Sequence, residues 1–367
     1  MIKRNKSDKR KFICDVRRLE MAKNNPYTLV FGKQPIQSIP RPVETQEVMD
    51  AFLNEPATQQ IYMITGVRGC GKTVFMTEVA NKLKEHDGWE TLELSTSQDL
   101  LTSMAESLTQ ENRFTKLFKQ GLGVTVAGFG FQFNGKTEVT SPRVLISEAL
   151  KVLKKHNKKL LICIDEVVSN DYMKEFVSVF QILLREDYPI YLLMTGLYEN
   201  INDLRNEKNL TFLYRAPEIR MRALNKGAMI ENYMSNLSIS GDDAEEMAKL
   251  TKGYSFAFQV LGYFTFRHEN DYRMAVSEYR QYLEEYVYEK IWSELSRGDR
   301  NLLYAVAKSE TGKVKEIKEI MGVSNNQYTP YRDRMIKKML LDGSEYGYLR
   351  ITLPLFEDYV IRSYNDY

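Results

Sequence analysis

The segment GVRGCGKT, residues 66–73, constrains the fold of this chain more than any other feature. It follows a continuous apolar run, IYMIT (61–65), and precedes an amphipathic stretch that begins VFMTEVANKL (74–83). A strand, a glycine-rich loop and a helix in this order are typical of the phosphate-binding loop G-x-x-x-x-G-K-[ST]. The chain is therefore expected to contain an α/β domain built around a parallel sheet.

The glycines of this loop can bring the main chain close to an anion, because Gly66, Gly69 and Gly71 can adopt backbone conformations that other residues avoid. Successive N–H groups would then point inward, and the helix that begins near Lys72 would present its positive end to the phosphates. Lys72 is expected to reach the β- and γ-phosphates, and the Thr73 hydroxyl to bind Mg²⁺. With ATP and Mg²⁺ as ligands, the predicted nucleotide-binding residues are Gly66, Val67, Arg68, Gly69, Cys70, Gly71, Lys72, Thr73 and Val74.

Five short apolar runs predict the strands of the sheet: IYMIT (61–65), TLELS (91–95), KLLICID (159–165), IYLLMT (190–195) and PEIRM (217–221). Their continuous apolarity indicates burial on both faces, and helical patterns separate them. Residues 121–139 instead alternate apolar and polar side chains around Gly and Asn-Gly, which predicts an inserted β-hairpin. The nucleotide-binding core is expected over residues 26–222, with this hairpin as an insertion.

Two carboxylates, Asp165 and Glu166, follow the third predicted strand. The carboxyl ends of parallel strands form the edge at which such sheets bind ligands. Asp165 is expected to hold Mg²⁺ through water, and Glu166 to polarise the water that attacks the γ-phosphate. An acidic helix cap is the alternative for this pair, and the nearby phosphate loop favours the catalytic interpretation.

Thr195 and Arg215 complete the predicted site. Thr195 ends a buried strand, where its hydroxyl could orient water or contact the γ-phosphate; a plain strand-terminal Thr is the alternative. Arg215 precedes the last strand, from which an arginine can reach the phosphates of a neighbouring subunit and neutralise charge in the transition state. Arg220 and Arg222 compete for this role. If Arg215 acts on the nucleotide of a neighbouring subunit, as an arginine finger does, the chain must self-associate.

The remainder of the chain is predicted to be mainly helical. Residues 223–295 are consecutive helical patterns, and residues 296–367 predict three helices, a Gly-containing hairpin and a terminal helix. The third of those helices, YTPYRDRMIKKML (328–340), carries the candidate DNA contacts Arg332, Arg334, Lys337 and Lys338. Because the charge of this region is nearly balanced, packing against the preceding helical region (223–295) or a partner protein is the alternative.

With these elements in this order, the chain resembles the AAA+ superfamily of P-loop ATPases. It is similar to origin-recognition and archaeal-type ATPases with a C-terminal winged helix, and it lies close to the signal-transducing NTPases. The segments NPYTLVFGKQP, IYMITGVRGCGKT and GYSFAFQVLGY together resemble a bacterial family of ATP-binding proteins. The resemblance covers roughly residues 25–367. It implies an α/β core with strand order 5-1-4-3-2, a helical lid over 223–295 and a winged helix over 296–367.

The resemblance also implies roles: Gly66–Thr73 is Walker A, Asp165-Glu166 Walker B, Thr195 sensor 1 and Arg215 the arginine finger. One departure concerns the lid. Origin-type ATPases carry a sensor-2 arginine there, whereas residues 253–264 contain none, and Gly253-Tyr254-Ser255 resembles the Gly-x-Pro motif of signal-transducing NTPases with Ser for Pro.

The expected function is therefore slow ATP hydrolysis that drives a conformational switch, with DNA association through the winged helix. The alternative is a signal-transducing NTPase scaffold whose winged helix binds protein.

Composition excludes several other classes. Residues 1–25 are rich in Lys and Arg, which predicts a disordered basic tail or a nucleic-acid-binding tail, and Met21 is a second candidate start. The three cysteines show no paired spacing, which argues against a disulfide framework or a zinc site. The basic N-terminus lacks the apolar core of a secretory signal, and no apolar run approaches the roughly 18 residues of a membrane span. A cytoplasmic location without a membrane partner is expected.

Overall fold

The computed structural model describes residues 25–30, 34–110, 114, 125–127, 130–133, 136–139 and 141–365. The basic segment predicted over residues 1–25 lies outside these ranges except for its last residue. The chain forms two compact units. The core unit contains residues 41–66 and 72–221, and the C-terminal unit contains residues 222–367 together with residues 67–71 and the described part of 1–40.

The core unit is built on a five-stranded parallel sheet. Its strands are β1 (Ile61–Thr65), β2 (Trp89–Leu94), β3 (Lys159–Ile164), β4 (Ile190–Gly196) and β5 (Glu218–Arg220). They lie in the order β2-β3-β4-β1-β5. All five predicted strands are present, and the order 5-1-4-3-2 implied by the resemblance is confirmed.

Continuous apolar sequence explains why this sheet is covered on both faces. Every residue of β1 and β4 is buried. The helices of the core unit are α1 (Pro42–Leu53), α2 (Lys72–Lys84), α3 (Leu100–Gln110), α4 (Pro142–Lys155), α5 (Asp171–Arg185) and α6 (Tyr198–Arg205). Asn170 caps α5 by accepting a hydrogen bond from the N–H of Met173. Helix packing therefore leaves the carboxyl edge of the sheet as the place for a ligand.

The predicted insertion forms a separate small sheet. Residues Thr125–Ala127, Gly130–Phe133 and Lys136–Val139 pair as three antiparallel strands. This is one strand more than the hairpin that the alternating pattern of residues 121–139 predicts.

The C-terminal unit is helical with one small hairpin. Its first helices are α7 (Lys226–Asn236), α8 (Gly241–Thr251), α9 (Ser255–Arg267), α10 (Tyr272–Leu283) and α11 (Glu289–Ser293), with a π-helical turn at Glu284–Tyr288. They are followed by α12 (Arg297–Lys308), α13 (Val314–Met321), α14 (Asn325–Lys337), the antiparallel strands β6 (Leu341–Asp342) and β7 (Arg350–Ile351), and α15 (Phe356–Asn365). The predicted helical C-terminal region with a hairpin is confirmed.

The turn between α13 and α14 follows from local sequence. Gly322 ends α13 with a φ of 64°, a conformation that glycine adopts at little cost. Ser324 and Gln327 then form a capping box that starts α14. Across the described ranges, none of the helices is long and apolar enough to cross a membrane.

Candidate functional site

The start of α2 and the end of β3 meet at the carboxyl edge of the sheet. The Thr73 hydroxyl donates a hydrogen bond to Oδ2 of Asp165 at 2.7 Å, although the two residues are 92 positions apart in the sequence. Lys72 Nζ donates to the carbonyl oxygen of Gly66 at 3.0 Å. The core unit thus brings the Thr73 hydroxyl, one residue after Lys72, into contact with the carboxylate that the sequence predicts as its partner.

Thr195 lies in the strand between the two motif strands, because β4 separates β1 from β3. Its side chain is fully buried. The hydroxyl donates a short hydrogen bond to Oδ1 of Asp165 and accepts one from the N–H of Glu166 at 3.2 Å. Because the hydroxyl proton is donated to Asp165, Thr195 holds the Asp165 carboxylate and the backbone N–H of Glu166 in place.

Glu166 has an unusual backbone for a residue with a side chain. Its φ is 51°, in the left-handed region. Its N–H donates to Oδ1 of Asp165 at 3.0 Å as well as to Thr195, and these bonds hold the turn. Such a conformation costs energy and is concentrated at functional sites. Glu166 is exposed, so water can reach its side chain.

The donor set at this edge fits Mg²⁺. Mg²⁺ prefers oxygen ligands and takes one or two from the protein, filling its other positions with water and substrate phosphates. The Thr73 hydroxyl and the Asp165 carboxylate, already in contact, are two oxygens of this kind. In the part of the chain that the structure describes, no group of three or more His, Cys, Asp or Glu side chains could hold a metal ion. A cation shared with phosphates therefore suits the site better than one enclosed by protein ligands.

The loop itself adopts the conformations that its glycines permit. Gly69 has a φ of 71° and Gly71 a φ of 93°, whereas Gly66 is not among the described glycines with positive φ. Val67 and Cys70 are buried, and Val74 is half-buried in the first turn of α2. The Cys70 thiol is therefore shielded from solvent.

Arg68 projects from the loop within the C-terminal unit. Its Nη2 lies 2.7 Å from Oε1 of Glu294, and its Nε 3.3 Å from Oε2. Lys290 also lies 3.3 Å from Oε1 of Glu294. Each of these side chains is about one-third exposed or more, so the pairing contributes little to stability while restricting where Arg68 can lie.

Arg215 is exposed and ends the 3₁₀ turn Thr211–Arg215. The chain just after it is anchored by Arg205, whose Nη2 donates to the carbonyl of Ala216 at 3.0 Å and whose Nη1 donates to Oε2 of Glu218 at 3.0 Å. Thr65 donates to Oε1 of Glu218 at 2.6 Å. This network holds the base of the segment that presents Arg215.

Sequence reasoning missed the Arg205–Glu218 pair. Burial alone would raise the pKa of Glu218, but the hydrogen bond from Thr65 and the charges of Arg220 and Arg205 outweigh it and lower the pKa. Glu218 is therefore ionised at neutral pH. The available signal was a glutamate inside the buried run PEIRM, since a carboxylate there requires partners.

The basic residues of α14 have different surroundings. Arg334 donates from Nε and Nη2 to Oδ1 of Asp299 at 2.9 and 2.6 Å, and Asp299 is only 2% exposed. Arg332 pairs with the adjacent Asp333 at 3.0 Å. Lys337 is exposed, and Lys338 is half-buried at the C-cap of α14. Arg334 is therefore ion-paired with a buried carboxylate, and its role as a DNA contact stays a prediction.

Two segments of the chain match known protein families. Residues 47–196 match a family described as an ATPase domain predominantly from Archaea. Residues 285–360 match a domain of unknown function (DUF8462). No curated protein gives a significant match.

Two solved structures share the fold. One is the Walker-type ATPase paby2304 of Pyrococcus abyssi, at 15% identity and a TM-score of 0.64, with 89% of this chain and 96% of that chain covered. The other is the ORC2 protein of Aeropyrum pernix in ADPNP and ADP complexes, at 15% identity and a TM-score of 0.61, with 92% and 96% covered. The predicted α/β fold is thus shared with these two structures, and residues 47–196 are similar to the archaeal ATPase domain family.

Proposed function

We propose that the chain binds ATP with Mg²⁺ at Gly66–Thr73 and hydrolyses ATP slowly, so that the bound nucleotide acts as a switch for the C-terminal region. The observation that carries this proposal is the hydrogen bond between Thr73 and Asp165, 92 positions apart. Apolar packing does not explain why a hydroxyl and a carboxylate from distant parts of the sequence contact each other at the edge of the sheet. Beside Lys72 they supply the ligands and the positive charge that a nucleoside triphosphate requires.

Each residue then has a chemical role. Lys72 and the helix end of α2 would bind the phosphates, and Thr73 and Asp165 would hold Mg²⁺, which supplies charge neutralisation at the phosphate oxygens when bound. Thr195 keeps Asp165 in place. Glu166 would accept the proton of the attacking water. Arg215 of a second copy would stabilise the charge that develops on the transferred group.

Slow turnover is supported by the lid sequence. Residues 253–264 lack the arginine that would sense the γ-phosphate, so the chain has one positive charge fewer for transition-state stabilisation. The energy of phosphate binding would then serve mainly to order the protein, as in nucleotide-dependent switches.

Replacing Lys72 with Ala tests the nucleotide site. We expect the affinity for MgATP to fall by roughly 10- to 100-fold, because hydrogen bonds to a charged group contribute about 1.5–3 kcal/mol. Equilibrium titration with a fluorescent ATP analogue measures this. Lys82→Ala is the matched control, since Lys82 lies in the same helix and pairs with Glu78 on its surface. Equal affinity of the Lys72→Ala protein and the parent would contradict the proposal.

We also propose that α14 and the hairpin β6–β7 bind duplex DNA. A short turn with Gly322 and a capping box at Ser324 joins α13 to α14, the order of elements found in a helix-turn-helix pair, and Arg332 and Lys337 lie in the second helix. A protein partner is the second candidate. Tyr346, between β6 and β7, is fully exposed, and an exposed aromatic side chain is a common anchor in protein interfaces.

Salt dependence separates these two candidates. If the DNA proposal is right, the parent protein binds duplex DNA with an affinity that falls steeply as salt rises, and Arg332→Ala and Lys337→Ala each reduce the slope by about 1. Fluorescence anisotropy at several salt concentrations gives the slopes. Lys249→Ala removes one charge from α8 of the same unit and should leave the slope unchanged. No salt-dependent binding by the parent protein would favour the protein partner.

A further inference from the structure

Three successive carbonyl groups of the phosphate loop accept hydrogen bonds from three successive residues at the start of α9. The bonds are Tyr254 Oη to the carbonyl of Arg68 (2.6 Å), the N–H of Phe256 to that of Gly69 (3.0 Å) and Ser255 Oγ to that of Cys70 (2.9 Å). All of these residues belong to the C-terminal unit, which includes residues 67–71. The loop is therefore held along its backbone rather than by one side chain.

These bonds determine where the N–H groups of the loop point. In a trans peptide the carbonyl and the N–H of one peptide unit point in opposite directions. Carbonyls of residues 68–70 that face α9 therefore direct the N–H groups of residues 69–71 to the other side. Converging N–H groups form the concave nest that binds phosphate oxygens. The N–H of Cys70 also lies 3.4 Å from the carbonyl of Val67, a long turn contact that an anion can replace.

The close approach explains the loop glycines. A Cβ on Gly69 would lie 2.4 Å from the Tyr254 hydroxyl, and one on Gly71 would lie 3.4 Å from the Ser255 hydroxyl. Both glycines also have positive φ, so a side chain would strain the loop as well as displace the hydroxyl from Gly69.

The Tyr254 hydroxyl is suited to permanent donation. Its side chain is only 6% exposed, and burial raises its pKa well above the ordinary value. The hydroxyl therefore keeps its proton at neutral pH.

We propose that Tyr254 and Ser255 are positioning residues that hold the phosphate loop in its anion-binding conformation before nucleotide binds. The inference rests on the proposed ATP site and adds to it the residues that shape the loop. Loop N–H groups contact the phosphates that ATP and ADP share. Tyr254 and Ser255 therefore support the binding of both nucleotides, unlike a lid arginine that senses only the γ-phosphate.

Tyr254→Phe removes one hydroxyl and leaves the ring. We expect roughly tenfold weaker binding of both MgADP and a non-hydrolysable ATP analogue, because the carbonyl of Arg68 loses its donor and the loop is no longer held in place. Fluorescent forms of the two nucleotides, titrated into the full chain, give both dissociation constants. Ser255→Ala should weaken both in the same way, and Ser255→Thr, which retains the hydroxyl, should restore them.

Tyr233→Phe is the control for loss of a buried tyrosine hydroxyl. Tyr233 lies in α7, is fully buried and donates to the carbonyl of Phe258 at 2.9 Å. Phe258 belongs to α9, as Ser255 does, but it is not one of the residues that bond to the loop. The Tyr233→Phe variant should bind both nucleotides as the parent does, even if thermal unfolding without nucleotide shows a lower midpoint. Equal losses in Tyr233→Phe and Tyr254→Phe would assign the effect to folding and overturn the inference.

Two further outcomes would overturn it: unchanged affinities in Tyr254→Phe, or a loss for the ATP analogue alone. Lys72→Ala separates this failure from that of the ATP site. If the parent binds nucleotide, Lys72→Ala binds it weakly and Tyr254→Phe binds it normally, only the positioning role fails. If the parent and Lys72→Ala give the same result, the ATP site itself fails.

Discussion

The Glu166→Gln protein should hydrolyse ATP at least roughly 100-fold more slowly than the parent while binding ATP with similar affinity. Glutamine has the size of glutamate, and the backbone N–H bonds of residue 166 to Asp165 and Thr195 do not involve its side chain. The change therefore removes one capability, the acceptance of a proton from water. Steady-state phosphate release gives the rate, and titration with a fluorescent ATP analogue gives the affinity.

Glu93→Gln is the control for this experiment. Glu93 is an exposed glutamate in β2, a strand of the same sheet. Its neutralisation should leave turnover at the parent level. Unchanged turnover in Glu166→Gln, with normal ATP binding, would remove Glu166 from the catalytic role and require another base at the sheet edge.

The strands of the core unit were predictable mainly from their apolar residues, although β2 and β5 also contain charged residues such as Glu93 and Glu218. A strand buried on both faces leaves little choice of secondary structure, so five runs gave five strands. The order of the strands in the sheet could not be predicted from these runs. It depends on which crossover connections form, and it came from the resemblance to AAA+ proteins. That order places β4, and with it Thr195, between the loop strand and the carboxylate strand.

The interactions around the site were less predictable because many of them end on backbone groups. Tyr254 and Ser255 bond to carbonyls of the loop, and Arg205 bonds to the carbonyl of Ala216. Because every residue has a backbone carbonyl, the residue type does not show which carbonyl accepts the hydrogen bond. Only the folded chain determines which carbonyl lies within reach.

Arg334 illustrates the same limit for charged residues. In the sequence, the basic residues of α14 form one group with equal claims to contact DNA. In the fold, Asp299 lies buried at the start of α12 and accepts two hydrogen bonds from Arg334 and one from the Ser296 hydroxyl. A buried carboxylate requires a positive partner, and α14 supplies it.

Replacing Arg334 with Ala should lower the free energy of unfolding by about 3 kcal/mol, because it leaves Asp299 buried without its cation. Arg332→Ala should lower it by less than about 1 kcal/mol, since its ion-pair partner Asp333 is exposed. Urea unfolding of the full chain, followed by tyrosine or tryptophan fluorescence, measures both. Asp299→Asn in the Arg334→Ala background removes the unpaired charge and should recover part of the loss.

Together with the single Asp299→Asn variant, these proteins form a double-mutant cycle, which also decides how DNA binding by α14 must be tested. If Arg334→Ala destabilises the C-terminal unit, a loss of DNA binding in that variant reflects the fold of the helix pair, and only Arg332 and Lys337 report on contact. If Arg334→Ala instead leaves the unfolding midpoint unchanged and the cycle shows no coupling to Asp299, the ion pair has no structural role. Arg334 then returns to the candidate DNA contacts, because its guanidinium can exchange a carboxylate for a phosphate at little cost.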